Sequence, residues 1–100
     1  IVLCSRGYPD SYKKNIEISN LKNIEVSKNN FIYHAGTKAS NKKIYAVGGR
    51  VLNFVSISND YSCSRNEAIN QIKKLNWKKG FYRSDIGYKV ISKWELLEEI

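Results

Sequence analysis

The sequence of residues 45–57, YAVGGRVLNFVSI, decides how the rest of the chain is arranged. From Val51 to Ile57, apolar residues occupy both odd and even positions, so both faces of the predicted strand carry apolar side chains. Such a strand is expected in the centre of a sheet. Gly48 and Gly49 precede it, and a glycine pair beside a strand indicates a bulge, a turn or a close backbone approach.

Short strands are predicted on the N-terminal side of this stretch. Apolar or alternating runs bounded by turn residues predict strands at residues 1–3, 16–18, 31–35 and 44–47, with a weaker strand over 21–26. Residues 5–15 form a predicted loop because they contain Gly7, Pro9, Asp10 and Asn15. Residues 36–42 form a predicted polar connection, after which residues 44–47 pair back as a hairpin.

A helix is predicted on the C-terminal side. Ala68, Ile72 and Leu75 follow the i, i+4, i+7 spacing of a helix face, and Ser64-x-x-Glu67 has the pattern of a capping box. This predicts a helix over residues 64–75. A loop over 77–87, a last strand over 88–91 and a short helix starting with a second capping box at 92–95 follow. Strands joined by short turns and followed by a helix predict a small α+β domain with mostly antiparallel sheet.

Length and charge restrict the function classes. One hundred residues predict a single domain over 1–100, and no run is long enough to cross a membrane. The chain contains no Met and opens on an apolar run, so we expect it to be part of a larger protein. The net charge of +8 favours a nucleic-acid partner in principle. However, the lysines occur only as scattered doublets, and we expect no nucleic-acid or membrane partner.

The sequence contains no recognisable catalytic or metal-binding set. Cys4 and Cys63 lie far apart, so two reduced thiols are favoured over a disulfide. His34 is the only histidine, and no second ligand stands at metal-binding spacing from it. A nucleophile with a positioned base is not apparent either. The residues alone therefore predict a binding or accessory domain without a metal site.

Four stretches contain more glycine, aromatic and charged residues than a core requires. They are RGYPDSYKK at 6–14, YHAGTK at 33–38, GGRVL at 48–52 and FYRSDIG at 81–87. In this order they resemble the C-terminal domain of phosphoribosylamine–glycine ligase, whose motifs GYP, HAGT, GGRVL and YRxDIG match here. The match extends over about 80 of the 100 residues, and four ordered motifs are far more specific than one.

The resemblance implies a fold and a function. The fold is a half-barrel or barrel-sandwich-like sheet domain with one main helix, as in ATP-grasp ligase C-terminal domains. The family joins glycine to 5-phosphoribosylamine in purine biosynthesis, using ATP and Mg²⁺, which the remaining ATP-grasp domains hold. The implied enzyme is a cytoplasmic, ADP-forming carbon–nitrogen ligase. This chain would cover one side of its active site, bind no cofactor itself and be inactive in isolation.

The resemblance also implies a substrate-binding set. The backbone of Gly48 and Gly49 and the guanidinium of Arg50 are expected to bind the substrate's 5-phosphate. The alternative is an edge bulge with Arg50 in solvent. His34, Gly36 and Thr37 are expected to line the same cleft. Arg83 and Asp85 are assigned to positioning the last loop, with a surface ion pair of little consequence as the alternative.

Some positions depart from the family pattern, and other functions stay open. Asn15, Asn53 and Ser84 stand where the family commonly has Gly, Gly and Lys, and Val47 replaces an Asn. Asn15 tolerates a left-handed backbone, so its turn is expected to survive. The alternatives are another ATP-grasp ligase or biotin carboxylase, a small basic RNA-binding domain and a purely structural docking module.

Overall fold

The computed structural model describes residues 1–24 and 26–87. Its strands are β1 (Val2–Ser5), β2 (Ile16–Glu17), β3 (Asn30–His34), β4 (Thr37–Ser40), β5 (Lys43–Ala46), β6 (Arg50–Ser56) and β7 (Gly80–Phe81). A 3₁₀ turn spans Leu21–Asn23, and the helix α1 spans Tyr61–Leu75. The predicted α+β class, with antiparallel sheets and one α-helix in the described residues, is confirmed.

The strands form two antiparallel sheets. The four-stranded sheet has the order β3-β6-β1-β7, and the three-stranded sheet has the order β2-β5-β4. Strand β6 lies between β3 and β1, so the prediction of a central strand is confirmed. Leu3 pairs with Leu52, and Ile32 pairs with Phe54, which places these four apolar side chains on one face of the larger sheet.

The helix α1 covers this inner face of the four-stranded sheet. It packs against β6, and the predicted helix positions Ala68, Ile72 and Leu75 are all buried. Leu52 and Phe54 on the sheet side are also fully buried. These residues form the main hydrophobic core, because a helix stripe and a sheet face each need an apolar partner.

The helix begins earlier than predicted. Its N-cap is Asp60, whose Oδ1 accepts a hydrogen bond of 2.9 Å from the Ser62 N–H. Ser64 is already inside the helix, and its N–H donates to the Asp60 carbonyl at 3.0 Å. The Ser64-x-x-Glu67 pattern is therefore not the capping box here. Asp is as good an N-cap as Ser, so Asp60 satisfies the first turn without the Ser64 pattern.

A bent β-ribbon joins the two sheets. One arm runs from β3 into β4, and the other runs from β5 into β6, so both arms leave one sheet and enter the other near Gly36 and Gly48. The prediction of a polar connection over 36–42 is wrong, because most of it forms β4. The hairpin partner of β5 is β4, reached through a turn at Asn41 and Lys42. The sequence of β4, Thr-Lys-Ala-Ser, has no alternation of apolar residues that would indicate a strand.

Several smaller predictions are settled by the structure. The described residues within 21–26 do not form a strand, and Leu21–Asn23 form a 3₁₀ turn instead. The predicted loop over 77–87 contains the two-residue strand β7, which pairs with β1. Asn15 adopts a φ of 59°, the left-handed backbone expected at that position. The strand and helix predicted over 88–91 and 92–95 lie outside the described residues.

Candidate functional site

Two glycines allow the arms of the ribbon to cross at close range. The Gly36 N–H donates to the Arg50 carbonyl at 2.9 Å, and the Gly36 carbonyl accepts from the N–H groups of Val47 and Gly48 at 2.8 and 3.1 Å. A Cβ on Gly36 would lie 2.7 Å from the Gly48 Cα. The Gly48 N–H is thus used within the protein, and the hypothesis that it is exposed to a ligand is not supported at this group.

The second glycine of the pair has a different neighbour. A Cβ on Gly49 would overlap the ring of Tyr8, so the tyrosine lies directly over the Gly49 backbone. Ser5 holds the same segment from the other side: its N–H donates to the Gly49 carbonyl at 2.7 Å and its hydroxyl to the Gly48 carbonyl at 2.9 Å. The Tyr8 ring and the two Ser5 hydrogen bonds therefore hold the glycine pair on both sides. The peptide bond between Tyr8 and Pro9 is cis.

Arg50 stands at the edge of a shallow groove. The groove has a volume of about 450 Å³ and is lined by Val2, Tyr8, Ala35, Gly49, Arg50 and Asn53. The Arg50 side chain is exposed, and the register between β1 and β6 shifts opposite it. The strand irregularity expected as the alternative is therefore matched by this register shift, but on a central strand rather than an edge, and beside a concave surface.

Cys4 is the cross-strand partner of Arg50. Burial raises the pKa of the Cys4 thiol, and the nearby Arg50 charge opposes this rise. Burial is the larger effect, so the neutral thiol is favoured beside the arginine. Both Cys4 and Cys63 are free, as predicted.

His34 and Thr37 form a pair at the turn between β3 and β4. The His34 Nδ1 and the Thr37 Oγ1 are 2.8 Å apart, which is a hydrogen-bonding distance. Ala35, which lies between His34 and Gly36, lines the Arg50 groove. Its N–H donates to the Val51 carbonyl at 3.0 Å. Neither the His34 imidazole nor the Thr37 hydroxyl lines this groove.

Arg83 and Asp85 form the expected ion pair. The Arg83 Nε and Nη2 donate to the two Asp85 carboxylate oxygens at 3.2 and 3.1 Å. The hydrogen bond from Arg83 lowers the pKa of the Asp85 carboxyl. The Arg65 Nη2 donates to the Ser84 carbonyl and ties this loop to α1. Sequence reasoning missed Arg65, since only its position on the helix surface points to this contact.

A second cavity connects the last loop with the Arg50 groove. It has a volume of about 300 Å³, and Val2 and Tyr8 line both spaces. Arg83 and Ile86 line its far side, and Cys4 lies between. The motif-bearing stretches at 6–14, 48–52 and 81–87 are thus brought together. Gly36, in the stretch at 33–38, joins the stretch at 48–52 through the ribbon crossing. Tyr8 lines both spaces and is the residue that links them.

Two further observations concern residues 1–24 and 26–87. They contain no group of three or more His, Cys, Asp or Glu side chains that could hold a metal ion. No helix among them is long and apolar enough to cross a membrane.

Comparison with known proteins identifies the family of the chain and several relatives. The sequence profile of the family described as "Phosphoribosylglycinamide synthetase, C domain" matches residues 1–89. A phosphoribosylamine–glycine ligase of Fusobacterium nucleatum is 41% identical over 88 residues, which are 87% of this chain and 21% of that protein. A ligase of the same name from Agrobacterium fabrum is 37% identical over 93 residues, 93% of this chain and 22% of that protein.

A solved structure shares the fold. The crystal structure of a phosphoribosylamine–glycine ligase from Thermotoga maritima matches with a TM-score of 0.66 and 29% identity. The match covers 85% of this chain and 20% of that chain. This chain therefore spans about a fifth of the length of the relatives that it matches.

Proposed function

Because the chain belongs to the family of phosphoribosylglycinamide synthetase C domains, we propose that it is the C-terminal domain, over residues 1–100, of a phosphoribosylamine–glycine ligase. That enzyme joins glycine to 5-phosphoribosylamine in purine biosynthesis, with ATP as the energy source. The domain contributes one wall of the substrate site and performs no chemical step alone. We also propose that the enzyme is cytoplasmic.

The position of Arg50 is the observation that carries the proposal. Its guanidinium stands at a concave surface, and its backbone carbonyl is held by Gly36 at 2.9 Å. A guanidinium stays charged at every physiological pH and offers paired N–H donors that match phosphate oxygens. Burial raises the pKa of the neighbouring Cys4 thiol, which favours its neutral form beside the arginine. Arg50 binds the 5-phosphate of the substrate.

The other site residues shape and border this position. Gly48 and Gly49 allow the ribbon crossing and the overlying tyrosine, and they orient Arg50 through the backbone. Gly36 has the same role from the opposite arm. His34 and Thr37 form a polar rim at the edge of the groove, where they contact the ribose hydroxyls or the glycine amide region of the bound substrate.

Arg83 and Asp85 are positioning residues. Arg83 lines the cavity next to the Arg50 groove, and the carboxylate of Asp85 holds its guanidinium from the solvent side. The link from Arg65 to the Ser84 carbonyl fixes the same loop. The pair therefore sets the width of the cavity that Tyr8 shares with the groove.

ATP and Mg²⁺ are held by the remaining ATP-grasp domains. The described residues of this chain supply no carboxylate cluster that fits Mg²⁺. ATP supplies the free energy for amide formation when bound, and the residues of this chain bind and orient the phosphoribosyl part of the substrate.

The outer face of the four-stranded sheet is the surface that contacts the other domains. Tyr33, Asn53 and Val2 are cross-strand neighbours on this face, opposite the helix. Tyr33 is 56% exposed and Val2 is 38% exposed, and the Phe31 ring stacks on Tyr33 with centroids 6.3 Å apart. An exposed aromatic sheet face favours an interface. Since the relatives are about five times longer than the matched region, their additional chain is the occupant.

Substitution of Arg50 tests the substrate role. In the full-length enzyme, Arg50→Ala is expected to raise the KM for 5-phosphoribosylamine by about tenfold or more, because a charged hydrogen bond contributes about 1.5–3 kcal/mol. The KM for ATP is expected to stay unchanged. Lys38→Ala, which removes an exposed cation from β4, is the matched control. An Arg50→Ala enzyme with unaltered KM and kcat for phosphoribosylamine would refute the assignment.

Substitution of Tyr33 tests the domain interface. Tyr33→Glu is expected to lower the melting temperature of the full-length enzyme by several degrees, because a carboxylate would be buried against the other domains. The same change in the 100-residue chain is expected to have little effect, since Tyr33 is mostly exposed there. Equal effects in both proteins would show that the outer face remains uncovered.

A further inference from the structure

A second basic surface lies away from the Arg50 groove. Two cavities adjoin each other on either side of Arg6 and Trp77, and both residues line both cavities. Their volumes are about 530 and 490 Å³, within the range of small-ligand sites. The proposed substrate role uses neither Arg6 nor Trp77.

Cations line both cavities. Lys73 and Lys78 line the cavity of about 530 Å³, and Lys13 and Lys79 line the cavity of about 490 Å³. With Arg6 between them, five cations converge, and none of the described residues lining either cavity is Asp or Glu. In the doublet Lys78-Lys79, each lysine therefore lines a different cavity. Such a surface attracts anions, because a bound anion reduces the repulsion between the clustered cations.

The central arginine is held in place by the protein backbone. The Arg6 N–H donates to the Lys79 carbonyl at 3.0 Å, and its Nε donates to the Lys78 carbonyl at 2.8 Å. A guanidinium has five N–H donors, and the bond to Lys78 uses the one on Nε. Its orientation is therefore set before a ligand arrives, which lowers the entropy cost of binding.

The aromatic wall is fixed as well. The Trp77 indole N–H donates to the Glu17 carbonyl at 3.0 Å, and a Cβ on Gly80 would lie 2.5 Å from the indole ring. The Glu17 carboxylate is 3.4 Å from the Lys43 Nζ, so its charge is already compensated. Arg6 and Trp77, which separate the two cavities, are therefore both held in place by hydrogen bonds to the backbone.

We propose that these two cavities form a binding site for a small anion with at least two linked phosphate groups. One phosphate group lies in each cavity, and Arg6 contacts both, because it is the only cation that lines both spaces among the described residues. A single phosphate group would engage only half of the cations. Tripolyphosphate should therefore bind at least tenfold more tightly than orthophosphate, since each additional charged hydrogen bond contributes about tenfold or more in affinity.

Calorimetric titration of the 100-residue chain with tripolyphosphate and orthophosphate tests the site. Two double variants, Lys13→Gln with Lys79→Gln and Lys73→Gln with Lys78→Gln, each remove two cations from one cavity. Either is expected to weaken tripolyphosphate binding by at least about tenfold. The matched control, Lys28→Gln with Lys38→Gln, removes the same charge from exposed positions outside both cavities and is expected to change the affinity less than about twofold.

The possible results separate the site from general electrostatic attraction. Equal weakening in the control would show binding by net charge alone and overturn the proposal. Equal affinity for orthophosphate and tripolyphosphate would overturn the two-cavity arrangement. A single-stranded oligonucleotide that binds more tightly than tripolyphosphate, with affinity rising with its length, would assign the surface to nucleic acid instead. All variants carry changes at exposed lysines, and circular dichroism checks that they remain folded.

Discussion

Replacement of Gly36 by Ala tests the ribbon crossing most directly. The added Cβ would lie 2.6 Å from the Arg50 carbonyl oxygen, 2.7 Å from the Gly48 Cα and 2.9 Å from the Gly48 nitrogen. All three neighbours are backbone atoms, so no side-chain rotation relieves the overlap. The two arms of the ribbon must therefore move apart.

The cost follows from overlap and lost hydrogen bonds. Overpacking of a tight site costs about 1–3 kcal/mol. Moving the arms apart weakens the bonds that Gly36 makes to Arg50, Val47 and Gly48, which contribute about 1 kcal/mol each. If one of them is lost, the free energy of unfolding falls by about 3 kcal/mol. For a domain of this size, the melting temperature falls by roughly 12–24 °C.

Urea unfolding followed by circular dichroism measures this change, and a graded variant serves as the control. Gly48→Ala places its Cβ 3.0 Å from the Gly36 Cα and 3.5 Å from the Arg50 oxygen, so a smaller shift relieves it. Its cost is expected to be about 1 kcal/mol. A Gly36→Ala protein within about 0.5 kcal/mol of the original chain, or a larger effect at Gly48, would refute the crossing as a packing requirement.

Three further predictions concern other contacts. Gly49→Ala is expected to cost about 1–2 kcal/mol because its Cβ overlaps the Tyr8 ring, and a double-mutant cycle with Tyr8→Ala should recover about 1 kcal/mol. Asp60→Ala should cost about 1 kcal/mol in urea unfolding and Glu67→Ala less than about 0.5, since Asp60 is the cap. Asp85→Asn should leave the melting temperature at pH 7 unchanged, because both side chains of the ion pair are mostly exposed. The folded-state pKa of Asp85 is lowered, so any small contribution is present above the unfolded pKa and disappears as acid titrates the carboxyl.

The sequence predicts this fold wherever side chains alternate between core and solvent. The apolar pattern from Val51 to Ile57 correctly placed β6 at the centre of its sheet, and the spacing of Ala68, Ile72 and Leu75 correctly gave the buried face of α1. Each pattern predicts which side chains are buried, and most of those side chains are buried in the structure. The exposed strand β4 has no such pattern, because both of its faces are polar or small.

Contacts between distant segments could not be predicted in this way. Pairing of β7 with β1 joins residues about 75 positions apart, and only two residues of β7 take part. The placement of Tyr8 over Gly49 depends on how the loop over 6–14 returns to the sheet. Neither contact leaves a periodic signal. The resemblance to a family supplied the grouping of these stretches, because it reports a shared three-dimensional arrangement that local patterns do not contain.

The two glycines and the arginine of the opening stretch have separate physical roles. Position 48 requires a glycine because Gly36 crosses close to it, and position 49 requires one because the Tyr8 ring lies over its backbone. The Gly48 N–H is also hydrogen-bonded within the protein, so it contributes no donor to a ligand. Arg50 follows directly on this fixed backbone, and its carbonyl is bound by Gly36. A phosphate group at this position is therefore bound by the guanidinium, and the glycines act by holding the arginine where the groove opens. Loss of either glycine should then weaken substrate binding only as far as it moves Arg50, whereas loss of the arginine should remove the contact itself.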